Sequence, residues 1–353
     1  MQKGWMFPTI SFTGQPGSYQ ILILHIHERS SQMKVLQIKV IGTVVLLAIF
    51  LLVGIGNVQA QTRLSIATAS TAGTWYPLGG AMANIISKNV KNTEATAYPA
   101  GASIENIRNL KKGQTDIVML QPDVAFWAYT GTEQFAKDKP YTGMRAIMAM
   151  YPIFEQIIVP YDSPVKSVAD IKGKRVGVGA PGSGNEVMNR LILAEYGVTY
   201  KDCDPKFLST PEQVEALKDG NVDVIMFGLG APAPAVMDLQ TQRKIRFIEI
   251  EPKMMKQINK KYPYYVADEI AAGVYKDQTK PIPVLAWMGV IGVSADMSDQ
   301  MVYDILKAFW DNKAAIDKIH VTYKEITLKN APVVPIPLHN GAIKFYKEKG
   351  VLK

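Results

Sequence analysis

The stretch VGVGAPGSGNE, residues 176–186, sets Gly177, Gly179 and Gly182 in the order G-x-G-x-x-G, with Asp202 twenty residues beyond the last glycine. That spacing matches a dinucleotide site, where glycines let backbone amides approach a pyrophosphate. Pro181 argues against it, because proline removes an amide from the turn that would hold the pyrophosphate. A P-loop needs Gly-Lys-Ser/Thr, and no lysine follows Gly182. A hydrolase elbow needs G-x-S-x-G, whereas Ser183 stands in Pro-Gly-Ser-Gly-Asn and no histidine is placed to serve it. What remains is a glycine-rich helix start. Its first amides lack internal partners and carry the positive end of the helix dipole, which suits an anion. Gly182, Ser183, Gly184 and Asn185 are therefore candidate ligand-binding residues.

A second loop of this kind is STAGTWYPLGG, residues 70–80. Ser70 and Thr74 offer hydroxyls, and Trp75 and Tyr76 a flat apolar wall with a polar handle. Two such termini facing across a cleft would grip an anion without an arginine. Each hydroxyl also has a helix-capping reading, and the two roles are compatible. Ser103 and Asn106 stand at a turn in AGASIENI, Gln121 and Asp123 in MLQPDVAFWAY, and Phe227 in MFGLGAPAP. Asp123 suits either an ammonium group or the cap of the helix after Pro122. Cys203 is the single cysteine, so no internal disulfide forms, and His320 and His339 lack neighbours in metal-ligand spacing. No metal, cofactor or catalytic residue is expected.

These loops need strands and helices to aim them. RLSIATA reads as a strand, followed by the first loop and the helical spacing of AMANIISKNV. GKRVGVGA, PGSGN and EVMNRLILAEYG repeat that order. LKKGQTDIVM at 110–119 returns as LKDGNVDVIM at 217–226, an offset of 107 residues, and Gly73 and Gly182 are 109 apart. Two similar α/β lobes follow, with largely parallel sheets and helices on both faces. The long apolar runs 144–160 and 284–295 flank the second lobe and read as two crossings paired as a hinge. Lobe I is then 62–157 plus 286–353, and lobe II is 158–285. Pro332, Pro335 and Pro337 make 331–338 an extended segment.

The N-terminal region addresses the compartment. From Met33 a short basic stretch, an uncharged run Val40–Ile55 and Val58-Gln59-Ala60 have the layout of a signal peptide over 33–60, cleaved after Ala60. Residues 1–32 fit no export element and read as an over-extended start. The exported chain would be periplasmic, where NAD is scarce. The net charge is +8, of which +3 falls in residues 1–60, and the remainder is spread without a basic, aromatic-interleaved block, so nucleic-acid binding is not indicated. A monomer is expected.

SIATASTAGTWYPLGGAMANII, GASIENIRNLKKGQTDIVMLQPDVAFWAYTG and VADIKGKRVGVGAPGSGNE together resemble the TAXI family of solute-binding proteins of TRAP transporters, from about residue 63 to the C-terminus. The resemblance implies a type II periplasmic-binding-protein fold: two α/β lobes, a two-strand hinge and a cleft between them. It implies a non-enzymatic receptor for a small carboxylate or glutamate-like amino acid, delivered to a sodium-driven transporter with two integral membrane subunits. It also implies that Thr74–Tyr76, Ser103, Asn106, Gln121, Asp123 and Gly182–Asn185 contact the solute. The first loop departs from the family in having fewer glycines, and Trp75 stands where tyrosine is common. The arginine clamp of other TRAP receptors has no counterpart, since Arg145 and Arg175 fall at strand beginnings. The alternatives are a receptor for an ABC importer, an exported enzyme on the same scaffold, and a receptor that hands its ligand to a membrane sensor.

Overall fold

Alternating β-rich runs and amphipathic helices dominate the chain after residue 61, and the computed structural model arranges them around one twisted sheet. The structure describes Met33, residues 39–43 and residues 61–353. The expected over-extended start and nearly all of the expected signal peptide, with its cleavage site, lie outside those residues. Gln61–Lys353 is a unit of its own, and among the described residues no helix is long and apolar enough to cross a membrane.

The chain runs β1 (Thr62–Ala67), α1 (Trp75–Asn89), β2 (Thr93–Tyr98), α2 (Ser103–Lys111), β3 (Ile117–Leu120), α3 (Pro122–Thr130) and the long β4 (Met144–Pro160). It continues β5 (Arg175–Gly177), α4 (Gly184–Glu195), β6 (Asp204–Lys206), α5 (Thr210–Lys218), β7 (Val224–Leu229), α6 (Pro234–Gln242), β8 (Ile245–Ile248), α7 (Pro252–Lys261) and β9 (Val266–Ile270). The long β10 (Ile282–Ser294), α8 (Asp299–Asp311), the short α9 (Lys313–Ile316) and α10 (Asn340–Glu348) close it. The sheet order is β2-β1-β3-β10-β4-β7-β5-β6, with β8 on β4 and β9 on β10. β1 pairs in parallel with β2 and β3, as β5 does with β6 and β7.

The two halves are thus separate parallel α/β units, and the antiparallel β4 and β10 run between them. These strands pair from Ala286↔Phe154 to Ser294↔Met144, with register irregularities between Met288 and Val290 and between Ile291 and Gly292. This is the periplasmic-binding-protein architecture expected from the sequence. β10 begins two residues before the expected crossing and ends one residue short of it.

The internal repeat is physical. Asp116, just before β3, accepts the backbone N–H of Ser65 on β1 at 2.8 Å. Asp223, just before β7, accepts that of Arg175 on β5 at 2.8 Å and also its guanidinium. In each half the aspartate ties its strand to the central one. The proline-containing 331–338 stretch, expected to be extended, instead turns at 331–332 and bends at 335–336 beside β4: the Ala149 N–H donates to the Ala331 carbonyl, the Ala146 N–H to the Pro337 carbonyl, and the His339 N–H to the Ala146 carbonyl.

Candidate functional site

In such sheets ligands sit outside the carboxyl ends of the strands, where the following helices begin. One small cavity of about 50 Å³ occupies that place between the halves. Its walls come from both. The first half gives Ala69, Ser70, Gly73, Thr74, Trp75, Ala102, Ser103 and Gln121. The second gives Gly184, Asn185, Thr210, Gly228 and Leu229, and Ile153 of β4 lies between them. Five helices, α1 to α5, therefore start at the cavity. Pro77, Pro122 and Pro211 remove an amide each from the first turns of α1, α3 and α5, so only α2 and α4 keep a backbone N–H at every first-turn position.

Local sequence explains how each terminus is set. Ser183 caps α4, its hydroxyl accepting the Glu186 N–H at 3.2 Å. Ser209 and Glu212 form a capping box at α5. Thr74 precedes α1 without capping it. Its buried hydroxyl oxygen faces the cavity end of α1 beside the buried Tyr151. Ala102 holds φ 67° and ψ −152° at the head of α2. A residue with a Cβ held in such a region costs about 1–3 kcal/mol, a strain that clusters at functional sites.

Across the cavity the Gln121 carboxamide donates to Asn185 Oδ1 at 3.2 Å. The same oxygen accepts the Gly228 N–H at 3.2 Å, which fixes the Asn185 side chain. Gln121 Oε1 is buried without a hydrogen-bond partner and packs on Gly184, where a Cβ would come within 2.2 Å of it. Among the described residues no lysine, arginine, histidine, aspartate or glutamate lines the cavity. Its electrostatics are those of helix termini and neutral polar groups.

Of the expected site residues, Ser70, Thr74, Trp75, Ser103, Gln121, Gly184 and Asn185 meet in this cavity. The others lie off it. Tyr76 is turned aside by about 100° on α1. Gly182, at φ 75°, and Ser183 form the turn that leads into α4. Asn106 lies one turn deeper on α2, and its carboxamide donates to the carbonyls of Ala67, Thr68 and Met119. It staples β1 to β3.

Asp123 is fully buried and accepts the Tyr265 hydroxyl. Burial pushes its carboxyl up to about 6, against the lowering effect of that hydrogen bond. Phe227 follows strand alternation: it points away from the Gly228 face and packs in the cluster that holds Ile158, Leu239 and Tyr275.

Sequence reasoning missed Ala69, Ala102, Ile153, Thr210 and Leu229 as lining residues, and Gly228 stood in it only as part of the stretch MFGLGAPAP. The 107-residue offset carries Ser103 onto Thr210 and Gln121 onto Gly228, so the repeat already contained two of these. Behind the lining lies Glu155 of β4, opposite Gly228. It is buried, neither carboxyl oxygen has a hydrogen-bond partner, and burial pushes its pKa well above the ordinary value. Among the described residues no cluster of histidine, cysteine or carboxylate side chains could hold a metal ion.

A profile of the NMT1-like family matches residues 66–350, which contain every element above except the first four residues of β1. The chain belongs to the NMT1-like family. A curated relative, the putative aliphatic sulfonates-binding protein of Escherichia coli (strain K12), is 35% identical over 72 residues, which are 20% of this chain and 22% of that one. This match therefore spans about a fifth of that relative's length. Among solved structures, the alkanesulfonate-binding protein from Xanthomonas axonopodis pv. citri bound to MOPS is similar at 16% identity and TM-score 0.46, over 82% of this chain and 83% of that one. The periplasmic sulfonate-binding protein of a putative sulfonate ABC transporter from Methylobacillus flagellatus KT is similar at 15% identity and TM-score 0.42, over 77% and 73%.

Proposed function

We propose that this chain is an exported solute-binding receptor that closes its cleft on a small anion, carboxylate or sulfonate, and presents it to an importer in the membrane. One observation carries the reading: the helix starts of both halves converge on a cavity that no charged side chain among the described residues lines. Amides at helix termini bind an anion by oriented dipoles and hydrogen bonds. With those donors fixed in place, the anion itself supplies the missing charge. Ser70, Ser103, Thr210 and Asn185 add neutral donors and acceptors, and Trp75 and Ile153 give its apolar part a wall. No bond is made or broken.

For the membrane partner the leading reading is an ABC importer. The stretch shared with a sulfonates-binding protein supports it. The second reading is a sodium-driven TRAP transporter, supported by the loop motifs of residues 64–131 and 168–186. Co-purification with the membrane proteins encoded beside this chain separates the two: an ATPase-bearing complex favours the first, and one without an ATPase the second.

The solute class is tested by melting the protein, freed of carried-over solute, against glutamate, glutamine, aspartate, dicarboxylates, aromatic carboxylates, short alkanesulfonates and NAD. A solute at 100 times its Kd adds about 2.7 kcal/mol, a shift of several degrees. A shift with a small carboxylate or sulfonate is expected. No shift with any of them, or a shift with NAD alone, refutes the reading.

A further inference from the structure

The Asp123 carboxyl lies beside the cleft without lining it, and what it touches comes from the other half of the molecule. Asp123 is the second residue of α3, the helix that Gln121 immediately precedes. Tyr265 precedes β9, which pairs with the Ile282–Ala286 end of β10. The preceding α7 is tied to α4, since Lys261 Nζ and the Gln257 carboxamide both reach Glu195. Around the Asp123–Tyr265 hydrogen bond, Phe126 meets Tyr264 at 5.6 Å and Trp127 meets Tyr262 at 6.2 Å between ring centroids. The segment Tyr262–Tyr265 thus lies along α3, and its inner end is the buried carboxyl–hydroxyl contact.

We propose that Asp123 is a positioning residue: through Tyr265 it clasps α3 to the second half, holds the cleft closed and so sets Gln121 against Asn185, without touching the solute. The inference rests on the receptor reading for its purpose, but the clasp itself can be read without solute. Opening the cleft would part α3 from Tyr265 and return the carboxyl to water. Closing it buries a carboxylate that has no cation beside it.

The groups acting on Asp123 are the Tyr265 hydroxyl and the backbone N–H groups of Asp123 and Val124. Tyr264 and Glu155 lie around Tyr265, Glu133 acts on Tyr264, and Lys261, Glu195 and Arg190 act on Tyr262. Closure should therefore take up a proton. With the closed-state value about 6 and the ordinary one 3.8, closure is favoured about tenfold more at pH 5 than at pH 8.

The test uses the full chain and Asp123→Asn and Tyr265→Phe variants, at pH 5 and pH 8. Small-angle scattering without solute reads closure, and calorimetry with glutamate and ethanesulfonate reads affinity. The wild type should be more compact at pH 5 than at pH 8 and bind its solute more tightly there, by up to about tenfold. Asp123→Asn keeps an acceptor for Tyr265 and cannot ionise, so it should stay compact at both pH values and lose the pH step. Tyr265→Phe should be the more open protein at pH 8.

Wild-type scattering that is the same at both pH values overturns the proposal, as does an Asp123→Asn variant that keeps the step. If the scattering step is present while no anion binds at either pH, the receptor reading falls and the clasp stands.

Discussion

Replacing Gly228 by alanine tests the geometry of the cavity wall directly. A Cβ at this position would lie 2.2 and 2.3 Å from two ring carbons of Trp287 and 3.3 Å from Asn185 Oδ1. Trp287 is 1% exposed and packs edge-on against Tyr265 at 5.6 Å, so the ring has nowhere to retreat. Overpacking of this kind costs about 1–3 kcal/mol. The stiffer unfolded chain returns about 0.4–1 kcal/mol of it. The net loss is about 1–2 kcal/mol, a fall in melting temperature of roughly 2–8 °C for a chain of this size.

Gly80→Ala is the control. Gly80 is exposed within α1 and nothing lies within 4 Å of an added Cβ. There the same chemical change should stabilise by about 0.5–1 kcal/mol, because alanine replaces glycine inside a helix. Calorimetric melting of both variants beside the wild type is the assay. If Gly228→Ala melts at or above the wild type, Trp287 does not close over Gly228, and the wall described above is wrong.

Two further substitutions address buried polar groups. Asn106→Ala removes donors to three carbonyls and should destabilise by about 2–4 kcal/mol, a fall of about 4–16 °C in melting temperature; unchanged melting with lost solute binding would place Asn106 in the site instead. Glu155→Gln should stabilise the protein in a pH-dependent way. The buried acid has a pKa well above 4.5, so the wild type is most stable below that value and loses stability as pH rises toward the folded value. The variant's advantage should grow by about 1.4 kcal/mol for each pH unit over that window, and an equal advantage at pH 4 and pH 8 would show Glu155 to be solvated.

The two halves, the antiparallel crossings and the position of the cleft are all legible in the sequence. Their signals are local: glycine-bearing loops before helices, apolar runs of fixed length, and a repeated Gly-x-x-Asp strand start. Each element reports its own type through its period, so the order of elements fixes where the helix termini gather. Seven of the expected site residues meet in the cavity for the same reason, since all but Ser70, which lies in the loop before α1, cap or open a helix.

What the sequence left open is which way a side chain at a terminus points and what reaches it from far along the chain. Asp123 and Gln121 are two residues apart, yet Gln121 faces the cavity and Asp123 a tyrosine 142 residues downstream. Asn106 looks like a ligand residue until three main-chain carbonyls from β1, the residue after it and β3 surround its amide. Phe227 and Gly228 are neighbours that strand alternation sends to opposite faces. Types, periods and the repeat were set by local chemistry. Partners were decided only when burial brought residues distant in the chain into contact, because desolvation penalises every polar group that packing leaves alone.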